Sequence, residues 1–397
     1  MRVRLLPFLP LALLAGFASV LPAAEHRDEV TAVRALRHMD KNPGSSELWE
    51  PHLAQWKGRH LVAASGVKIP GKTDMGDIMA SVSTDDGDKW GDPVRIFNHQ
   101  ERQGTLRFAY ANAILFTVPE QEVLWAFAMR CPMNYRHSED SQLVAAYSAD
   151  GGRSWTPVEL AMGYTGPLIC VAGPYRVMEN SVPRYLFPMH RNTRRNDPLG
   201  SRDHFVLSST TLMEWSLAAY IPQPVTGPKV FLHEGNIAPG DAPGELKMVM
   251  RTADYEDERK MTDPPRAFST VSRDGGRTWS PAQQEPDLWN AKSKAFFGRT
   301  AFGTHVYVYN DGPASPAPGS RMAQRPQVIE VRDAARSNHG NPCCGCDLER
   351  RLDVYAGEHA VALDIGIDDG EDADAASPAG EVERRPRGRR IPPGSCE

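Results

Sequence analysis

The chain has no excess of positive charge, one long apolar run and few cysteines in its body. Lys and Arg total 45 against 50 Asp and Glu, for a net charge of −5, and the isoelectric point is about 6.2. Nothing in that balance points to a nucleic-acid partner. The apolar run, Leu5 to Leu21, is broken by Pro7 and Pro10, and no other stretch could span a bilayer. Of the six cysteines, only Cys131 and Cys170 lie in the body, while Cys343, Cys344, Cys346 and Cys396 crowd the C-terminal stretch. Cys343-Cys-Gly-Cys346 lacks a second CxxC or a His pair at zinc spacing, so neither a metal nor a cofactor is expected. Patterns of helical period are few.

What is present begins with a leader. Arg2 and Arg4 precede the apolar run, Ala23 and Ala24 follow it, and the polar Glu25-His-Arg-Asp comes next. Residues 1–24 therefore read as a signal peptide and the protein as secreted or periplasmic. An exported chain could oxidise its cysteines.

The body is organised by a recurring turn. Ser83-Thr-Asp85-Asp-Gly87-Asp-Lys-Trp90, Ser148-Ala-Asp150-Gly-Gly152-Arg-Ser-Trp155 and Ser272-Arg-Asp274-Gly-Gly276-Arg-Thr-Trp279 share the form S-x-D-x-G-x-x-W. A fourth stretch, Ser208 to Trp215, keeps the Ser and Trp at that separation without the Asp or Gly. A fixed period with one turn motif marks a repeat architecture. Asp accepts from backbone N–H groups of its own turn, and Gly supplies the φ > 0 position. Trp packs between strands and needs one partner for its N–H. Short β-type runs lie between the turns, among them His60–Ala64, Val123–Ala128, Phe205–Leu207, Leu246–Met250 and His305–Tyr309. Each period has room for four strands, which is one propeller blade. Tyr307 and Tyr309 share a face by period 2. From 333 the composition turns to Arg, Asp, Glu, Gly and Pro, no fifth turn motif appears, and only Leu352–Ile367 has a strand pattern.

These turns resemble the Asp-boxes, or BNR repeats, of the sialidase superfamily. The resemblance covers about 47–325 and implies an all-β, six-bladed β-propeller of the sialidase type, with the last blade or blades incomplete or altered. The propeller is expected over 25–332, followed by an atypical low-complexity tail over 333–397. The boxes belong to the periphery of that fold and the active site to its axis. The family implies a glycoside hydrolase acting on terminal acidic sugars, with a carbohydrate substrate; it implies no oligomeric state. Three arginines grip the sugar carboxylate, a Tyr activated by a Glu is the nucleophile, and an Asp is the acid/base. A planar guanidinium suits the grip because it meets a carboxylate bidentately.

Carried over residue by residue, the resemblance gives Glu234 as the base partner and Arg251 as a carboxylate ligand, joined by a Gly-bearing turn. Gly319-Ser-Arg321-Met resembles the third arginine. Asp74, just before the first box, fits the acid/base by spacing, with Asp77 beside it. The segment of the first arginine reads Leu48-Trp49-Glu50-Pro51-His52, with Trp in place of Arg, and Glu50 and His52 become candidate ligands for a different sugar. In the tail, where the family carries its nucleophile, Tyr355 is the sole tyrosine. Arg191, in the basic loop His190-Arg-Asn-Thr-Arg194-Arg195, is a candidate for meeting an anionic glycan, and Arg299 a weaker one. Two alternatives accompany this reading: a glycan-binding propeller without catalysis, and a propeller enzyme acting on another uronate-containing polysaccharide.

Overall fold

Strand after antiparallel strand follows the chain in this computed structural model, which describes residues 28–36, 48–69, 75–100, 102–103, 106–133, 141–192, 202–255, 262–290, 294–299, 305–309, 328–332, 351–356 and 359–367. Apart from Ile367 these fall in one compact unit, Asp28–Gly366. Four meanders of four strands come in order. The first is Leu48–Lys57, His60–Lys68, Gly76–Ser83 and Val94–Phe97, and the second Leu106–Val118, Val123–Pro132, Gln142–Ser148 and Thr156–Val158. The third is Tyr175–Glu179, Val182–Asn192, Arg202–Ser209 and Glu214–Tyr220, and the fourth Val230–Pro239, Leu246–Asp254, Arg266–Ser272 and Gln283–Trp289. A three-stranded sheet, Phe296–Arg299, His305–Tyr309 and Val328–Arg332, comes next. In a further sheet His359–Ile367 lies between Asp28–Leu36 and Arg351–Ala356. The described residues hold no α-helix, hence none long and apolar enough to cross a membrane.

Burial shows how the meanders stack. The second strands, His60–Lys68 and Val123–Pro132, are buried almost continuously, whereas the outer strands Thr156–Val158 and Gln283–Trp289 are mostly exposed. A strand covered on both faces needs apolar residues without alternation, and these strands supply them. Each apolar cluster lies between consecutive meanders. Val62, Ile78 and Ala80 of the first meet Leu124, Ala126 and Ala146 of the second. Trp125 and Phe127 of the second meet Phe187, Phe205 and Trp215 of the third. Leu186 and Val206 meet Leu232, Met248 and Phe268 of the fourth, and Val249 and Ala267 meet Phe297 and Tyr307. The Phe127 ring lies edge-on to Phe187 and Trp215 at centroid distances of 5.2 and 6.1 Å. Burying one such ring contributes roughly 1.5–3 kcal/mol. Sheets stacked face to face in chain order, each burying its strands against the next, form a β-propeller of the sialidase type.

The repeated turns clamp the rim. Ser148 Oγ donates to Asp150 Oδ1 at 2.7 Å and accepts from the Gly152 N–H at 2.7 Å. Asp150 Oδ1 also accepts the Arg153 and Ser154 N–H groups, and Trp155 Nε1 donates to Gly152 O at 3.1 Å. The turn at Ser272 repeats the Ser and Asp bonds with Gly276, Arg277 and Thr278. Burial draws the Asp150 and Asp274 carboxyls upward, but hydrogen bonds from hydroxyls and N–H groups outweigh it and hold each at about 2. The turns also join neighbours. His60 Nε2 of the first meander bonds Gly151 O at 3.0 Å, and Arg277 of the fourth pairs with Glu179 of the third at 2.6 Å.

The fourth turn is a clamp one residue shorter, and its anchor is Ser209 rather than Ser208. Ser209 Oγ accepts the Leu212 N–H at 2.8 Å, Thr211 Oγ1 accepts the Glu214 N–H at 3.2 Å, and Trp215 Nε1 donates to Leu212 O at 2.9 Å. Thr211 stands in for Asp, and Leu212 takes the glycine conformation at φ 66°.

Candidate functional site

Three innermost strands carry the same irregularity. In Val230–Pro239, His233 pairs with Arg251 and Asn236 with Val249, so Glu234 and Gly235 together oppose Met250. In Leu48–Lys57, Glu50 and Pro51 oppose Ser65. In Leu106–Val118, Asn112 and Ala113 oppose Ala128. The first residue of each bulge is left-handed: Glu50 at φ 45°, Asn112 at φ 58° and Glu234 at φ 55°. Bulges re-aim a side chain and gather at barrel rims and active sites. For Glu in particular the left-handed region costs about 1–2 kcal/mol.

The bulge in the fourth meander builds an ion pair. Arg251 Nη1 donates to Glu234 Oε1 at 2.6 Å, with the side chains 18% and 14% exposed. Glu234 Oε2 and Arg251 Nε are buried without a hydrogen-bond partner among the described residues. One carboxylate oxygen and one guanidinium N–H thus remain to be satisfied, which buried polar groups ordinarily are.

Three buried histidines back this pair. His190 Nδ1 accepts the Glu234 N–H at 3.4 Å, and His204 Nε2 accepts the Gly235 N–H at 3.0 Å. The third meander therefore supplies acceptors for both N–H groups of the bulge. His233 Nδ1 lies 3.9 Å from Glu234 Oε1, and its ring meets His190 edge-on at 5.6 Å. Burial lowers His204 to about 3, so it accepts as a neutral imidazole. Gly235 is required by contact: a Cβ there would lie 2.6 Å from His204 Nε2 and 2.7 Å from Met248 Sδ. Asn236 Nδ2 closes the turn on Glu234 O and ties it to Ala295 O at 3.1 Å.

Segments from five successive sheets meet around a cavity of about 230 Å³, lined by His52, Phe116, Gly173, Tyr175, Asn236 and Lys294 among others. This is the hub. His52 is driven well below its ordinary pKa, first by burial and then by the charge of Lys294. Burial pushes the Cys170 thiol up to about 12, and the charges of Lys294 and Glu50 both reach it.

The expected residues divide between those brought together and those elsewhere. Glu234 and Arg251 are adjacent in space. Arg191 lies in register with Asp203, one residue beyond His190. Arg299 donates to Gly240 O. Asp77 is engaged, with Oδ1 at 2.6 Å from His99 Nδ1 and Oδ2 at 3.0 Å from Arg95 Nε. Tyr307 and Tyr309 stack at 5.2 Å on one face of their strand. Asp74, Arg321 and the leader lie outside the described residues, and Tyr355 is described only as part of a strand. Among the described residues no group of His, Cys, Asp and Glu is arranged to hold a metal ion. The histidine backing and the Asn112 bulge were not singled out from sequence. Their signal is a polar residue inside a continuous apolar run, as in Ala109-Tyr-Ala-Asn112-Ala-Ile-Leu115.

Residues 58–338 match the family described as BNR repeat-like domain. No curated protein matches the chain by sequence. Among solved structures, the Hadza microbial sialidase Hz136 is similar with a TM-score of 0.52 at 16% identity, over 68% of this chain and 54% of that one. The chain thus spans about half the length of that sialidase. The intramolecular trans-sialidase from Ruminococcus gnavus, solved with oseltamivir carboxylate, gives 0.55 at 12% identity, over 81% and 95%. The Penicillium chrysogenum alpha-L-arabinanase, solved with arabinobiose, gives 0.56 at 14%, over 85% and 98%.

Proposed function

Since the chain belongs to the BNR repeat-like family and has a glycoside hydrolase-like propeller fold, we propose that it is a secreted or periplasmic sialidase-like glycoside hydrolase acting on terminal acidic sugars at its hub. The observation that carries this reading is the buried Glu234–Arg251 pair on the innermost bulge, with Glu234 Oε2 and Arg251 Nε open to further bonds. Arg251 binds the sugar carboxylate through charge-assisted hydrogen bonds. Glu234 accepts the proton of an attacking tyrosine hydroxyl, Asp74 serves as acid/base, and Arg321 and Arg191 add positive charge for the substrate. The tyrosine oxygen forms the bond to the anomeric carbon as the bond to the leaving sugar oxygen breaks, and Asp74 protonates that oxygen.

Glu50 favours a second reading. Its carboxylate stands in the stretch that resembles the first-arginine segment, where it repels the carboxylate that an arginine would attract. Another uronate-containing polysaccharide, or glycan binding without turnover, would suit such a hub. Hydrolysis of a fluorogenic sialoside by the purified protein tests the first reading. Turnover is expected, with Glu234→Ala and Arg251→Ala each lowering kcat/KM by about 10²-fold or more. Absence of turnover with retained glycan binding leaves the binding module, and turnover only of other uronate-bearing glycans leaves the second enzyme.

A further inference from the structure

We propose that Cys131 and Cys170 are joined by a disulfide that staples the second meander to the third. The proposal rests on the reading above that the chain is exported, since such bonds form and persist in oxidising compartments. These are the two cysteines outside the C-terminal stretch, and both are buried thiols in this structure.

Strand alternation shows which way each thiol points. Along Val123–Pro132, the residues Trp125, Phe127, Met129 and Cys131 belong to the apolar cluster shared with the third meander, and Leu124, Ala126 and Ala128 to the one shared with the first. Cys131 therefore faces the third meander. Ile169–Cys170 is a short strand antiparallel to Val182–Asn192, with Cys170 in register with Met189. Residues paired across an antiparallel ladder share a face. Met189 lies with Tyr185 and Phe187 in the cluster that holds Cys131, whereas Leu186 turns to the fourth meander. Cys170 therefore faces the second meander.

A hydroxyl brings the two to the same level. Arg130 is in register with Gln142, so Cys131 falls opposite Ser141, the next position on the neighbouring strand. Ser141 Oγ accepts the Leu168 N–H at 3.0 Å and donates to Leu168 O at 2.5 Å. The chain two residues before Cys170 is thus clasped to the position opposite Cys131, and Ile169–Cys170 packs on Val123–Pro132 and Gln142–Ser148. The small residues Ala109, in register with Cys131, and Ala145 belong to the same cluster. Charge on the Cys131 sulfur reaches Cys170.

The bond forms by thiol exchange. The Cys131 thiolate attacks a disulfide oxidant of the oxidising compartment, and one oxidant sulfur leaves as a thiol. The Cys170 thiolate then attacks the Cys131 sulfur, and the second oxidant sulfur leaves as a thiol. The two protons and two electrons given up by the cysteines end on the oxidant. Burial sets the timing. The folded Cys170 thiol is pushed up to about 12, so its thiolate is scarce, and the exchange belongs to the stage before the third meander closes on the second. Once made, the bond fixes the strand that leads into Val171–Tyr175, a wall of the hub cavity.

Peptide mapping tests this. The full chain is produced with its own leader in a bacterial host and recovered from the periplasm. Its thiols are blocked in denaturant without reductant, and the digest is read by mass spectrometry. We expect one pair of peptides, carrying Cys131 and Cys170, that separates only after reduction. Cys131→Ala, Cys170→Ala and the double variant should each lower the thermal midpoint by about 5 °C or more. The double variant should fall about as far as either single one, because the same bond is lost in all three. Blocked thiols at both positions overturn the inference, as does a link from either one to Cys343, Cys344, Cys346 or Cys396, or additive losses in the variants. Sialoside turnover by the same sample decides the proposed hydrolase separately. A chain that stays in the cytoplasm overturns the export reading, and the inference with it.

Discussion

The rim and the hub of this propeller are both built by repetition, and they repeat different things. At the rim, the turns at Ser83, Ser148 and Ser272 repeat residue types: Ser, Asp and Gly return because the same internal hydrogen bonds must be made each time. Every Asp oxygen that takes part in those bonds serves the turn itself. At the hub, the bulges at Glu50, Asn112 and Glu234 repeat a backbone conformation and vary the side chain. Glu234 Oε2 and Arg251 Nε have no hydrogen-bond partner among the described residues. Groups that satisfy one another mark scaffold. Groups held in strained backbone and left open mark a place that something else completes.

If that contrast is right, substitutions at the two places separate activity from stability. The largest effect is expected at the hub. Glu234→Ala should cut turnover of a cleaved glycan by about 10²-fold or more while the thermal midpoint moves only a few degrees, as enzyme kinetics alongside calorimetry would record. The next is at the rim. Gly276→Ala places a Cβ 2.4 Å from Leu186 Cδ1 at φ 86° and should cost roughly 2–4 kcal/mol by urea denaturation, with glycan affinity of the folded protein unaltered. Asp274→Ala removes the acceptor shared by Ser272, Arg277 and Thr278 and should cost about 1–2 kcal/mol, again without effect on affinity. A rim variant that abolished binding while folded would break the contrast.

Acid should separate the two places in order. His204 has a folded pKa of about 3 against an ordinary 6.5, because burial disfavours its charged form. The unfolded chain therefore takes up that proton first. The stability held by the neutral ring is complete above about pH 6.5 and is lost progressively as pH falls toward about 3. Asp150 and Asp274 lie at about 2 against 3.8, so their contribution is complete above about pH 3.8 and fades as pH falls through about 2. Hydrogen exchange followed through an acid titration should show the Gly235 amide, held by His204, losing protection before those of Gly152 and Gly276. Simultaneous loss would contradict the assignment. The smallest effect is at the second bulge: Asn112→Gly should raise stability by up to about 1 kcal/mol in urea denaturation, since glycine adopts φ 58° without strain.

The same contrast explains what could be read from the sequence. The rim was legible because its chemistry is internal, and a turn that must bond itself restricts its own residues. The fourth turn was misplaced by one residue because Thr211 and Leu212 do the work of Asp and Gly in a shorter loop. Glu234 and Arg251 were named through the resemblance of their hairpin to a family segment, and the paired strands bring them side by side. His190 and His204 were not, because their role depends on facing a bulge 44 and 31 residues away in the chain. Asn112 escaped because a left-handed backbone has no letter in the sequence when the residue is not glycine.

The sheet formed by Asp28–Leu36 with His359–Ile367 and Arg351–Ala356 has a consequence for biogenesis. The ribosome delivers one edge of that sheet, Asp28–Leu36, well before its neighbour His359–Ile367. Asp28–Leu36 therefore waits for that partner while the intervening meanders emerge, and this sheet closes only after them.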